Sequence, residues 1–452
     1  MNDKIVNRRN LIAASLGAAA VPLLASCSSG SPRAGDFRSP RVTDAPSARN
    51  VRDFGAVGDG VADDTAAFAA AATVTDRPLV LYLPAGTYRV QRVPELPDFS
   101  TVLGDGGDVS TLLYEGDDTL LALTGRQRVR FARFAVFVTG PRATAVSLSG
   151  CFRCSFDSVV IRGNHLSSNH PRYLEQRGVV LDRNTGGTTF TNCDINNFGY
   201  GIVTSCIQNY VTASKLTSNY IGVLGSGNDH NAGLSLANVE FVSDKDPRTT
   251  DRHLRVDGAA NDWWLTNVWF EGAETAVSVG DSVRGGPAQF GMVNCKVAAR
   301  SVCLDLIYCR QPYLANIMFD AERNTQPPTP IRIDATHCPD GTAINLISGF
   351  GDDIDARGFP NGWQVIGCGR GGGDRFAGTV VARARPDGGD LLQAQTSDGE
   401  PLAAVLPSGA WLSDRSDGGV ILKDERNGYW RLTVGPDGAL TTVPLGRGRP
   451  GR

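Results

Sequence analysis

Glu240, Trp269 and Glu271 are the residues of this 452-residue chain whose types and spacing could do chemistry. They belong to two copies of one phrase, Leu236-Ala-Asn-Val-Glu-Phe241 and Leu265-Thr-Asn-Val-Trp-Phe270, the second followed by Glu271. Apolar residues at positions four and six of the phrase share one face of a strand, so position five points the other way. If the strand runs on, position seven points outward too. Glu240 and Trp269 then stand at position five and Glu271 at position seven. With copies stacked about 4.8 Å apart and residues two apart separated by about 6.6 Å, the backbones of Glu240 and Glu271 lie roughly 8 Å apart. Inverting glycoside hydrolysis uses two carboxyl groups about 6.5–9.5 Å apart, one donating a proton and the other activating water. Trp269 offers a face on which a sugar ring could stack. Asp320, at position seven of the copy that starts at Leu314, is a third candidate.

Cleavage by elimination asks for a different set: a base, and a cation to neutralise a uronate carboxylate. His253 and Arg255 are the candidates. His230 and His253 are expected in loops flanking the Glu240 copy, with Arg255 outward on the strand-like run Leu254-Arg-Val256. His165 and His170 fall in a long insertion, 163–178, without an evident role. Asp352, Asp353 and Asp355 make an acidic turn whose oxygens suit Ca²⁺, although such a turn is more simply a solvated one. No other metal or cofactor is expected. Cys151-Phe-Arg-Cys154 is the only CxxC, and with no second pair at zinc spacing it reads as two small buried residues.

Positioning these residues requires a repeat. The six-residue phrase starts at 131, 156, 190, 211, 236, 265, 292 and 314, with Asn at its third position in Asn192, Asn238, Asn267, Asn294 and Asn316. Asn suits a turn between two short strands, since it tolerates a left-handed backbone, and stacked Asn side chains can bond one another. A second strand-like phrase separates the copies, as in Val146-Ser-Leu148, Ile202-Val-Thr204 and Val277-Ser-Val279. Short strands recurring about every 25 residues with irregular insertions describe a parallel β-helix. A propeller needs longer four-stranded units. The composition agrees: 53 Gly, 3 Met, 41% hydrophobic and 20% charged residues suit a turn-rich globular β protein better than a helical bundle.

The folded part opens with Asp53-Phe-Gly-Ala-Val-Gly-Asp-Gly60, then Asp63-Asp64-Thr65, then Pro84-Ala-Gly-Thr-Tyr88. Asp63 or Asp64 can cap a helix starting near Thr65, and Leu79–Tyr88 reads as a strand broken at Pro84. These phrases resemble the opening of the pectate-lyase-superfamily right-handed β-helix proteins. The resemblance implies an all-β, right-handed, single-stranded parallel β-helix with an N-terminal capping helix. The family includes polysaccharide lyases, glycoside hydrolases, epimerases and phage tailspike depolymerases, so it implies a polysaccharide partner without fixing a reaction. The chain has no Asn-Thr-Asp, Gly-His-Gly and Arg-Ile-Lys set of the polygalacturonase type and no Asp-Pro-His-Glu of the alginate epimerase type.

Four segments are expected: a leader over 1–27, a tether over 28–49, the β-helix over 50–368, and a small β-hairpin module over 374–452. Asp-Gly and Asn-Gly pairs about ten residues apart mark the hairpin turns of that module, whose simplest role is to cover the open end of the solenoid. In the leader, Arg8-Arg9 precedes an apolar run, Leu11–Ala25, too short to span a bilayer, and Leu24-Ala-Ser-Cys27 resembles a lipoprotein cleavage box. That reads as twin-arginine export with lipidation at Cys27, and a place at the cell surface, in the periplasm or outside the cell. The membrane is then met only through the lipid. A net charge of −3 gives no case for nucleic acid. An oligomer such as a trimer stays open. The expected function is an exported carbohydrate-active protein that cleaves a polysaccharide by acid–base hydrolysis or β-elimination. The alternative is a non-catalytic glycan-binding or tail-like surface protein.

Overall fold

The protein is described here by a computed structural model, which covers residues 48–450 except 74–77, 207, 228–232, 259–260, 323–325, 351–353, 355–357, 369–381, 383–388, 397–398, 414 and 416–417. Cys27 with the whole leader, His230 and the Asp352, Asp353 and Asp355 turn lie outside the described residues. Among the described residues strand structure begins at Ala48–Asn50, two residues before the expected start of the β-helix.

Residues 48–368 build an all-β parallel solenoid of about 11 turns. The repeated phrase is its structural unit. Phe131, Phe156, Phe190, Val211, Leu236, Leu265, Met292 and Leu314 are paired in register from rung to rung. Their side chains are buried and form one wall of the core. Position six makes a second buried column, through Leu216, Phe241, Phe270, Val297 and Phe319. Identical neighbours stack: the rings of Phe131 and Phe156 lie 4.7 Å apart, those of Phe156 and Phe190 4.7 Å, and those of Phe241 and Phe270 4.9 Å. Stacking adds to the burial of large apolar surface. The second phrase supplies the third buried column, Val146, Val179, Ile202, Val223, Leu254, Val277 and Leu304, with the half-buried Ile331 at its end.

The asparagines sit where the chain turns between the first two columns. Asn192, Asn238, Asn267, Asn294 and Asn316 all have φ between 53° and 55°. Side-chain amides link successive rungs: Asn267 donates to Asn238 Oδ1 at 3.2 Å and Asn316 to Asn294 Oδ1 at 3.0 Å. Asn345 extends the ladder, donating to Asn316 Oδ1 at 3.0 Å. It belongs to a ninth copy, Ala343–Ser348, which the apolar pattern conceals because its sixth position is Ser348. Replacing Asn267 by Ala puts a residue without asparagine's tolerance of the left-handed region there and removes the amide link, so a loss of about 1–2 kcal/mol is expected in urea unfolding. Asn267→Gly should recover the backbone part alone. Equal losses for Ala and Gly would assign the whole effect to the ladder.

Of the two aspartates expected to cap the first helix, Asp63 is the one that does so. The helix Thr65–Ala72 is capped by Asp63, whose Oδ1 accepts from Thr65 N at 3.0 Å and Thr65 Oγ1 at 2.5 Å. Asp64 caps nothing in the helix. Its carboxylate instead accepts from the backbone N–H groups of Val57 at 2.6 Å and Gly58 at 3.1 Å, pinning the glycine-rich opening phrase. The strand interruption occurs as expected, between Val80–Leu83 and Gly86–Arg89.

All nine described cysteines, Cys151 and Cys154 among them, are free and buried. Toward the C-terminus lie two three-stranded antiparallel sheets, Leu392–Gln395 with Pro401–Val405 and Trp411–Ser413, and Ile421–Lys423 with Tyr429–Val434 and Leu440–Gly446. Their turns include Asn427 and Gly438 with φ of 66° and 81°, the conformation for which Asn-Gly and Asp-Gly turns are suited.

Candidate functional site

Position five of the phrase is an outward column. Asp194, Lys215, Glu240, Trp269, Lys296 and Met318 follow one another in register up the solenoid. Glu240 pairs with Trp269 and Val242 with Glu271, so the two glutamates are one rung and two residues apart, as their spacing implied. Asp320 is on the same face, paired with Ala298.

Glu240, Trp269, Glu271 and Asp320 each have a partner. The Trp269 indole N–H donates to Glu271 Oε2 at 3.1 Å, which holds the carboxylate beside the ring. Lys215 Nζ lies 3.3 Å from Glu240 Oε2. Lys296 Nζ lies 3.2 Å from Asp320 Oδ2 and 4.3 Å from the centre of the Trp269 ring, a cation–π contact. The two lysines, outward by pattern, had no role in the sequence reading. In the structure they join the carboxylates and the tryptophan into one polar strip. The strip is open: the side chain of Glu240 is 58% exposed and Trp269 is 43% exposed.

Behind Glu271 the strand Trp269–Val279 departs from regular pairing. The register shifts between Phe270 and Ala273, and Gly272 has φ of 97°. A β-carbon on Gly272 would lie 2.4 Å from the Ser243 carbonyl oxygen, so this position needs glycine. Such bulges re-aim neighbouring side chains. Two buried groups secure the bulge. His253 Nε2 donates to the Glu271 carbonyl oxygen at 2.7 Å, and Glu322 Oε1 accepts from Gly272 N at 2.7 Å. His253 is therefore not the loop residue expected. It lies in the strand Arg252–Val256 with its ring turned into the core against Phe241 and Phe270, 2% exposed. Burial pushes its pKa down to about 4. A ring in that position offers nothing to a substrate and acts instead through the backbone of Glu271. Nothing in Arg252-His-Leu-Arg-Val256 marks this ring as buried, since strict alternation sets His253 opposite Leu254 and Val256.

Residues 48–245 match the family described as rhamnogalacturonase A/epimerase, pectate lyase-like. That stretch of the solenoid is similar to the family. Over 79 residues the chain is 42% identical to mannuronan C5-epimerase AlgE4 of Azotobacter vinelandii, a stretch covering 15% of this chain and 14% of that protein. Over 77 residues it is 42% identical to the non-secreted LysM effector LysM19 of Penicillium expansum, covering 14% of this chain and 6% of that protein. Tailspike protein 2 of Escherichia coli O157:H7 bacteriophage CAB120 superposes with a TM-score of 0.51 at 12% identity, over 88% of this chain and 62% of that one. That likeness is one of fold.

On the solenoid Arg255 points outward, as expected, but on the third longitudinal face, in a column with Ser278, Asp305 and Arg332. It is not brought together with Glu271. Its Nε donates to Asp257, which also accepts from Arg284 at 2.8 Å, and Arg332 makes two bonds to the 4%-exposed Asp305. Arg284 and Arg332 reach these acids from 27 residues away, a pairing that sequence spacing does not reveal. A hollow of about 850 Å³ between the capping helix and the strand Thr119–Thr124 also contains carboxylates, Asp63 and Glu95. Both are committed elsewhere, Asp63 to the helix cap and Glu95 to Arg126 at 2.9 Å. Despite its size this hollow has no acid pair free for chemistry. Among the described residues no cluster of three metal-ligating side chains occurs.

Proposed function

We propose that this pectate-lyase-like solenoid binds a polysaccharide along the Glu240–Trp269–Glu271 strip and hydrolyses it there. The observation that carries the reading is the hydrogen bond from Trp269 to Glu271, which places a carboxylate at the edge of a ring on which sugar can stack. Glu240, one rung away, supplies the second carboxylate. The pair divides the work between proton donation and water activation. Hydrolysis is favoured over β-elimination because the elimination set is not assembled: His253 is buried and Arg255 is on another face, tied to Asp257. Asp320 serves by holding Lys296 over Trp269.

The openness of the strip and the pairing of Glu240 with Lys215 support a second reading, glycan binding without cleavage. Product analysis separates the readings. The purified protein is incubated with a panel of neutral and uronic-acid polysaccharides. New reducing ends without unsaturated ends are expected. Unsaturated ends would move the reaction to elimination, and binding with neither product would leave the second reading standing.

We further propose that the chain is exported by the twin-arginine route and anchored by lipid on Cys27. Changing Arg8 and Arg9 to Lys should leave the protein inside the cell, and Cys27→Ala should release it from membranes. Export undiminished by the double lysine change would remove the twin-arginine assignment.

A further inference from the structure

The strand that precedes each asparagine turn carries an outward column of its own. In register, rung by rung, it reads Tyr210, Ser235, Trp264, Gly291, Tyr313 and Thr342. Aromatic and small residues alternate over five successive rungs. Tyr210 is 42% exposed, Trp264 45% and Tyr313 39%. Exposed apolar residues scattered singly need no explanation, but aligned ones do. With rungs about 4.8 Å apart, the aromatics recur about every 9.6 Å along the solenoid.

The small residues make room for the rings. A β-carbon built on Gly291 would lie 2.4 Å from both Cε3 and Cζ3 of Trp264, so the indole lies across the backbone of the next rung. Between Tyr210 and Trp264 is a hollow of about 110 Å³ above Ser235, edged by Gln208 and Asp262. The neighbouring outward column, two residues along each strand, is Thr212, Ala237, Thr266, Val293 and Ala315. Neither column bears a charge between Tyr210 and Thr342. The face is flat, uncharged and floored by small side chains, and it differs in this from the charged strip on the other side of the asparagine ladder.

We propose that the Tyr210–Trp264–Tyr313 column is a binding platform for a neutral, extended 1,4-linked glycan lying parallel to the solenoid axis. In such a chain the two-ring repeat is close to the two-rung spacing, so every second sugar ring meets an aromatic face. The ring between Tyr210 and Trp264 lies over Ser235, with its hydroxyls toward Ser235, Gln208 and Asp262. The lack of cations on the face, and Asp262 at its edge, disfavour a uronate chain. This extends the binding half of the proposed function to a second face and does not depend on Glu240 or Glu271.

Affinity electrophoresis of the full chain tests it, in gels containing hydroxyethylcellulose, glucomannan, arabinoxylan or galactan, with polygalacturonate as the charged comparison. At least one neutral polysaccharide should retard the protein. Trp264→Ala should weaken that retardation on the order of tenfold, as expected for losing one aromatic stacking contact, and Tyr210→Ala and Tyr313→Ala should each weaken it less. Gly291→Val should match Trp264→Ala by displacing the indole, with an unchanged circular dichroism spectrum. The same losses should appear when the Trp264 and Gly291 changes are made in a Glu271→Gln background, where turnover is removed, so loss of turnover and loss of the platform are told apart. Retardation by none of the neutral polymers, or by polygalacturonate alone, overturns the proposal. So does retardation indifferent to both Trp264→Ala and Gly291→Val. If light scattering shows Trp264→Ala breaking an oligomer apart, the column is instead a contact between copies of the chain, and the proposal falls.

Discussion

Glu271→Gln should lower turnover on a confirmed polysaccharide substrate by on the order of 10²–10⁴-fold, the usual effect of losing a general acid or base. That corresponds to about 3–5 kcal/mol of barrier. The change is nearly isosteric. A Gln side-chain oxygen still accepts from the Trp269 indole, so the ring keeps its place. The backbone beneath is secured by His253 and Glu322 and does not depend on the carboxylate. KM should therefore stay near the parent value while kcat falls. Trp269→Ala should behave differently. It removes the stacking surface, releases Glu271 from its donor and leaves Lys296 without its ring, so KM should rise first. Glu240→Gln loses only an exposed ion pair with Lys215, of little consequence for stability, and its kinetic effect should resemble that of Glu271→Gln. Full activity in both Gln variants would show that the strip is not the catalytic site.

The solenoid was legible in the sequence because its physics is local and repeated. An apolar residue at positions one and six of the eight copies evident in sequence fixes the pleat, and asparagine at position three of five of them marks the turn. Eight copies written one above another reproduce the observed register, including the step that sets Glu240 against Trp269. The outward direction of Glu240, Trp269, Lys296 and Asp320 followed from strand alternation alone. What alternation does not carry is the identity of partners contributed by other turns. Glu322 reaches Gly272 across 50 residues, and His253 reaches Glu271 across 18. His253 was misplaced because a polar residue was assumed to face water, whereas one hydrogen bond to a carbonyl suffices to bury a neutral imidazole. The Tyr210, Trp264 and Tyr313 column escaped notice for another reason. It lies just before the first position of the phrase, and its meaning appears only when alternate rungs are compared.

Burial of His253 also has a consequence for acid stability. Its only described hydrogen-bond acceptor is the Glu271 carbonyl, which fixes the neutral ring with the proton on Nε2. Charging that ring would place a cation among Phe241 and Phe270, so its folded-state pKa is depressed from 6.5 to about 4. As pH falls below about 6.5 the unfolded chain takes up the proton and the folded chain does not, so the unfolded state is favoured. The stabilising contribution is complete above pH 6.5, declines on the way to pH 4, and is lost below it. A shift of that size amounts to roughly 3 kcal/mol. His165, also buried, has its pKa lowered by the same cause and adds in the same direction. His253→Gln keeps an N–H donor for the Glu271 carbonyl but does not titrate. The difference in unfolding free energy between parent and variant, measured in urea at pH 7, 6, 5 and 4, should therefore shrink or reverse toward acid, with the carboxylates common to both cancelling. A difference independent of pH over that range would mean that His253 is hydrated in the folded state. The clamp on the backbone of Glu271 would then have to be looked for in Glu322 and the glycine of the bulge.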